Sequence, residues 1–388
     1  MQKIFKIIKK DKQTRARLGL LKTAHGVVKT PAYVFVGTYG RFLHLSPKDL
    51  KVAKVQVAIA NTFHLWDRSK KEKDFLAKGF GKIPTMTDSG GFQVLSLAFD
   101  DKNKVGKFMT GDTKPDVSYI RTRIKITSPG VKFLWNGRWK FLGPELSMKI
   151  QSRIGADIVF AFDHITSPLD TYEYNKKAIA MTDKWAKICL KTRNPKQLLF
   201  GIVQGGLFKD LRIKSAKSIG AMSFDGFGIG GSYTKEQIAG VLKYVIPYLP
   251  DEKPRHLLGV GKVEDVFEAI ENGIDTFDCV IPTREARHGR LYTRTGHMDI
   301  RKGKYVGDKK IIEYGCDCLT CSSKISRATV CALIKSEDRK LNAAGQRWCL
   351  MHNMWFFNNL LEQTRAALSR GSYPKFRDKF LTRFTTQP

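Results

Sequence analysis

The sequence predicts an α/β fold: a (β/α)8 barrel of the TIM type, with inserted β-hairpins and a C-terminal cysteine-bearing subdomain. Short apolar, β-branched runs recur along the chain, and each is followed by a segment with helical spacing. Polar residues stand at the ends of those runs, and the alternation stops before a cysteine cluster that begins at Cys316. Strands alternating with helices pair in parallel through right-handed crossovers, and eight such units are the number that closes a barrel.

The candidate strands are Thr30 to Val36, Val55 to Ala60, Ile83 to Thr87, Asp157 to Phe162, Leu198 to Val203, Gly226 to Ile229, His256 to Val260 and Thr276 to Ile281. Between them, Pro47 to Ala53, Pro144 to Ile154, Tyr172 to Lys191, Leu207 to Ile219, Lys235 to Val245 and Val263 to Glu271 carry apolar residues three and four apart. Pro47 and Pro144 sit where a first helical turn tolerates proline. A doubly wound open sheet is the competing architecture, but no Gly-rich dinucleotide fingerprint follows the first strand.

Asn61, Asp88, Asp163, Gln204, Gly230 with Gly231, Gly259 and Asp278 all fall at or near the end of a strand. In a barrel those ends converge on the face that carries the chemistry. Any one of them alone reads as a polar turn residue capping the next helix; together they read as a site. Asp278 is the sharpest case, because a carboxylate inside the apolar run TFDCVI has to be paired, protonated, metal-bound or at the strand's mouth.

Ser89 to Gly143 interrupts the alternation, and Pro129-Gly130 and Asn136-Gly137 mark hairpin turns within it. Arg121, Arg123, Lys125, Lys132, Trp135, Arg138 and Trp139 interleave basic and aromatic side chains here. That mixture suits stacking and phosphate contacts, and it equally suits half-buried hairpin aromatics. The division expected is a catalytic barrel over residues 1–300, including a hairpin insertion at about 89–143, and a subdomain over 301–388.

The 388 residues carry 68 Lys plus Arg against 36 Asp plus Glu, a formal charge of +32. A phosphate-backbone partner is the first expectation from such an excess, with a general lysine bias the plainer explanation. No window approaches the roughly eighteen apolar residues of a membrane span. Seven cysteines, an odd number, argue against a disulfide framework and for a reducing, cytoplasmic setting. The basic N-terminus reads as an edge strand around Phe5 to Ile8 rather than a transit peptide.

Cys316, Cys318 and Cys321 crowd three thiols into six residues, and a shared Zn²⁺ is the economical reason for it. A closed structural site needs a fourth ligand. His352, in the helix-like segment LMHNMWFFNNLLEQTRAAL, is the choice, with Cys331 and Cys349 as rivals.

Taken together, RARLG (15 to 19), HGVVKTPAYVFVGTYG (25 to 40), ANTFHLW (60 to 66), TDSGGFQVLSL (87 to 97), GADIVFAFD (155 to 163), FGIVQGG (200 to 206), GFGIGG (226 to 231), LLGVG (257 to 261), FDCVIPTREARHG (277 to 289), CDCLTC (316 to 321) and MHN (351 to 353) closely resemble the tRNA-guanine transglycosylases of bacterial type. The resemblance implies an enzyme that exchanges guanine at the wobble position of GUN-anticodon tRNAs for a 7-deazaguanine, preQ1 or queuine. It implies Asp278 as the nucleophile on the ribose and Asp88 as general acid/base. Ser89, Phe92, Asp163, Gln204, Gly230, Gly231 and Leu258 would frame the base, Arg284 and Arg287 would hold the anticodon loop, and the protein would be a homodimer with one structural zinc.

The chemistry independently suits that division. Displacement at an anomeric carbon is commonly split in two by a carboxylate nucleophile, with a second carboxyl group giving and retaking a proton. Two rival readings use the same residues differently: a barrel glycosidase on soluble sugars, and a non-catalytic RNA-binding paralogue. The first fits the charge poorly; the second would be expected to lack Asp88 or Asp278. Departures from the resemblance fall at His164-Ile165, expected to alter the floor of the base pocket, and at Tyr233-Thr234, which add bulk beside it.

Overall fold

A computed structural model of the chain describes residues 3–96, 124–168, 170–231 and 235–385. Its centre is a closed, eight-stranded, all-parallel barrel. The strands are Ala32–Val36, Ala58–Ala60, Thr85–Thr87, Ile158–Phe160, Leu198–Val203, Gly226–Ile229, Arg255–Leu257 and Thr276–Cys279. Closure is made by Thr276 pairing with Ala32. All eight predicted runs are present, with several trimmed at their ends. Asp157, for instance, lies just outside its strand, which spans Ile158–Phe160.

An antiparallel sheet of Phe5–Lys10, Arg17–Thr23 and Gly26–Thr30 closes one mouth of the barrel. Phe5, Leu21 and Val28 are fully buried in one cluster with the barrel residues Val34, Met86, Phe160 and Phe200. Two acidic residues fasten that sheet, and each immediately precedes a barrel strand. Asp157 accepts from the backbone N–H of His25 (2.9 Å) and of Thr85 (2.8 Å). Asp275 takes a bidentate Arg17 (2.8 and 2.5 Å) with both side chains buried. Breaking a buried pair of this kind by removing one partner costs about 3–5 kcal/mol. Because both fasteners lie at strand N-termini, the open mouth is at the C-terminal ends.

The inserted segment forms a three-stranded antiparallel sheet of Ile124–Thr127, Gly130–Trp135 and Arg138–Leu142. Its second turn places Asn136 at φ 48° and Gly137 at φ 73°. Both are left-handed, the conformation that a two-residue turn needs to match strand twist. The earlier part of the insertion, with Arg121 and Arg123, lies outside the described residues, as do Tyr233 and Thr234.

Beyond the last barrel strand come the helix Ile281–Arg287, the hairpin Arg290–Thr293 and Gly296–Asp299, and the helices Leu319–Ser322, Arg327–Lys335, Arg339–Arg370 and Tyr373–Thr385. The segment PTREAR, outside every helix predicted above, is therefore helical, with Pro282 in the first turn, where its missing N–H costs nothing. The 32-residue helix Arg339–Arg370 is buried on two sides. Cys349, Leu350 and Trp355 pack with the cysteine cluster, while Met354, Phe357 and Leu361 pack with the barrel's outer layer. Phe357 lies 5.0 Å from the ring of Tyr33 in the first barrel strand. Asn353 pins the same helix to the chain beyond the last strand, donating to the carbonyls of Pro282 (3.2 Å) and Arg290 (3.0 Å). Among the described residues, no helix is long and apolar enough to cross a membrane.

Candidate active site

At the open mouth, the strand ends surround a cleft of about 740 Å³. Asp88, Ser89, Phe92, Asp163, Gln204, Gly230, Gly231, Leu258, Asp278 and Arg284 all line it. Arg287 is on the same helix as Arg284, half-buried beside the cleft rather than lining it. The geometry that sequence position alone could only suggest is thus a single constellation.

Asp278 is near the end of its strand, and its Oδ1 accepts from the Gly259 backbone N–H at 3.0 Å and from His256 Nε2 at 3.1 Å. His256 is fully buried, and its Nδ1 lies 2.9 Å from Thr276 Oγ1. Since an ionised carboxylate can only accept, Nε2 carries a proton toward Asp278, and Nδ1 is left to pair with the Thr276 hydroxyl. Thr276, His256 and Asp278 therefore form a relay that fixes the carboxylate's orientation. Sequence reading missed His256. Its only signal was a histidine at the start of an otherwise apolar strand.

Asp88 sits differently. Its Oδ1 accepts from the N–H groups of Thr62 (2.9 Å) and Gly90 (3.1 Å), and its Oδ2 from Asn61 Nδ2 (2.6 Å). Burial outweighs those bonds, and the charges of Asp278 and Asp163 add to it, so the carboxyl is pushed up to about 7. A group at that value holds or releases a proton with equal ease near neutrality, as an acid/base catalyst requires.

The third carboxylate, Asp163, is buried and paired with amide and hydroxyl groups. Gln204 Nε2 donates to Oδ2 at 2.5 Å, and Ser89 Oγ lies 3.4 Å from Oδ1. Gly230 keeps this pair in place by having no side chain: a Cβ there would lie 2.6 Å from Gln204 Nε2. Its backbone is already committed to the barrel, the N–H to the Val203 carbonyl (3.0 Å) and the carbonyl to Arg212 (2.7 Å). Of the dipeptide His164-Ile165, only Ile165 faces the cleft. His164 turns away, within 3.1 Å of the Tyr174 hydroxyl and against Trp185, so burial drives its pKa down to about 4. The expectation that both residues alter the pocket floor is corrected to Ile165 alone.

Away from the cleft, Cys316, Cys318, Cys321 and His352 are all buried with their ligand atoms within 4.8 Å of one another. The His352 Nδ1 is 3.9, 3.3 and 3.7 Å from the three sulfurs. A tetrahedral ion with metal–sulfur bonds near 2.3 Å and metal–nitrogen bonds near 2.0 Å sets that edge at about 3.5 Å. The imidazole is also oriented for it, because Nε2 donates to the Tyr292 carbonyl at 2.7 Å and turns Nδ1 toward the three sulfurs. The cluster fits a metal ion, and neither Cys331 nor Cys349 belongs to it.

The comparisons with known proteins agree over nearly the whole chain. A family model described as Queuine tRNA-ribosyltransferase matches residues 11–386. A protein named queuine tRNA-ribosyltransferase from Symbiobacterium thermophilum is 37% identical over 98% of this chain and 91% of its own length. Proteins of the same name from Lactococcus lactis and Listeria innocua are 38% and 37% identical, each over 98% of this chain and 96% of their own length. With the barrel, the cleft and the Cys3His cluster all in place, the chain belongs to the queuine tRNA-ribosyltransferase family.

Proposed function

We propose that this protein exchanges guanine at the wobble position of GUN-anticodon tRNAs for a 7-deazaguanine, preQ1 or queuine, through a covalent bond between Asp278 and the ribose. The observation that carries the reading is the contrast between two carboxylates in one cleft. Asp278 is oriented by the Gly259 N–H and the buried His256 relay, while Asp88 is raised to about 7. A carboxyl poised near neutrality, beside a second carboxylate held in one fixed orientation, is the pairing that an acid/base and a nucleophile need.

In the first step, an Asp278 oxygen forms a bond to C1′ as the bond from C1′ to guanine N9 breaks, and a proton from Asp88 neutralises the departing base. The second step reverses this with the incoming base. Asp88 takes its N9 proton, the nitrogen attacks C1′, and the Asp278–ribose bond breaks. Asp163 accepts hydrogen bonds from the N1–H and amino edge of the purine, as carboxylates do, with Gln204 and Ser89 holding it in place and Phe92 against the ring. Arg284, exposed on the lip of the cleft, and Arg287 behind it meet the anticodon loop.

The Cys3His ion is Zn²⁺ in this reading, since three thiolates and one imidazole suit it best. It ties the chain after the last barrel strand to the helix that also covers the barrel, and it takes no part in the chemistry. The protein works as a homodimer in the cytoplasm, where its tRNA substrate is made. Incubating the protein with radiolabelled guanine and a GUN-anticodon tRNA tests the reading. Label should enter the tRNA, and should not enter a tRNA whose wobble base is adenine; no incorporation into either would refute it.

A further inference from the structure

The inserted sheet has a face that the cleft chemistry does not use. Pairing of Lys125 with Lys132, of Lys132 with Phe141 and of Leu134 with Trp139 fixes which side chains share a side. Because neighbours along a strand alternate sides, Lys125, Thr127, Lys132, Leu134, Trp139 and Phe141 stand on one face. Phe133, Trp135 and Leu142 stand on the other. That second face is packed: Phe133 is buried, and Trp135 lies 4.9 Å edge-on to Phe63. The first face is open, with Trp139 50% and Phe141 36% exposed. Lys125 Nζ lies 5.4 Å over the ring of Trp139.

From Ile124 to Leu142 there are four basic residues, Lys125, Lys132, Arg138 and Lys140, and no acidic one. A flat sheet presenting aromatics beside lysines matches unpaired RNA: bases stack on the rings while phosphates meet the ammonium groups. The sheet is also held close to the chemistry. Phe63 belongs to the helix Thr62–Lys71, whose first N–H binds Asp88, and Leu142 lies beside Gly90, as a Cβ added there would meet it at 3.3 Å.

We propose that this outward face is a second contact for the substrate tRNA, stacking unpaired nucleotides on Trp139 and Phe141 while Lys125 and Lys132 hold the adjoining phosphates. The proposal rests on the function given above and adds a surface to it. It resolves the two readings of the hairpin aromatics: Trp135 is a packing residue and Trp139 is a contact.

The test is binding of fluorescently labelled tRNA to the full chain, together with guanine-exchange kinetics. The double variant Trp139→Ala/Phe141→Ala should weaken tRNA binding at least about fivefold, raising KM for tRNA while leaving kcat and KM for guanine unchanged. Lys125→Ala/Lys132→Ala should lower the salt dependence of binding by about 0.7 to 0.9 per lysine removed. Both pairs are surface substitutions, and an unchanged thermal midpoint confirms the fold. Wild-type affinity in both variants would overturn the platform. So would a Trp139→Ala/Phe141→Ala variant that changes the sedimentation of the free protein but not its affinity for tRNA, which would make the face an interface between copies. Failure of the wild-type protein to exchange guanine would instead refute the function itself.

Discussion

Replacing Asp88 with asparagine should change how stability depends on pH, by an amount that follows from the site. The carboxyl is raised from its ordinary 3.8 to about 7, first by burial and then by the charges of Asp278 and Asp163, against the pull of the Thr62 and Gly90 N–H groups. At about 1.4 kcal/mol per unit, that is at most about 4 kcal/mol of differential interaction. Between those two values the folded protein keeps the Asp88 proton and the unfolded chain gives it up. Stability therefore falls as pH rises through this window, and the fall stops once the folded carboxyl has also ionised. An asparagine at this position cannot titrate. It would also set its amide against Asn61 Nδ2, which at present donates to Asp88 Oδ2, but that clash is the same at every pH. Urea denaturation of both proteins at intervals from about pH 4 to pH 8 isolates the effect. The stability of the wild type minus that of Asp88→Asn should decline by up to about 4 kcal/mol and level off above about pH 7. A difference that does not vary with pH would mean that Asp88 is an ordinary carboxylate in the fold, and its assignment as the acid/base would fall with it.

Other outcomes follow from the same geometry. His256→Ala removes the group that orients Asp278, so guanine exchange should slow about 100-fold in kcat with KM for tRNA unchanged, since misplacing a reacting group by about 1 Å costs that much; His256→Gln, which keeps a donor, should recover part of it. Gly230→Ala forces a methyl against Gln204, and at about 1–3 kcal/mol for an overpacked contact the KM for guanine should rise roughly fivefold to 150-fold while tRNA affinity holds. Cys318→Ala should release one equivalent of metal, read by elemental analysis. It should also lower the unfolding midpoint, because a closed Cys3His site contributes folding energy.

The barrel was legible because buried parallel strands are short apolar runs, and their polar ends announce themselves one after another. Asp88, Asp163 and Gln204 could be read this way, each standing directly after its run. What could not be read was partnership across strands. His256 meets Asp278 only because parallel register sets the strand Arg255–Leu257 beside Thr276–Cys279, and no local pattern encodes that. The helix at Ile281–Arg287 was hidden by its proline and its arginines, which look like a loop until the first-turn position of Pro282 is known. The helix Arg339–Arg370 was legible as a helix over LMHNMWFFNNLLEQTRAAL, but what it packs against was not. Its apolar residues run around both sides, since one side meets the cysteines and the other the barrel. Periodicity alone could not separate two buried faces.

The central claim is that Asp278 becomes covalently attached to the ribose of a tRNA. Mixing protein with a GUN-anticodon tRNA in the absence of competing base, denaturing the sample and sizing the products measures this directly. The wild-type chain should give a denaturant-resistant protein–RNA adduct whose peptide map places the link on Asp278, and Asp278→Asn should give none. An adduct of equal yield in the Asp278→Asn protein would contradict the account.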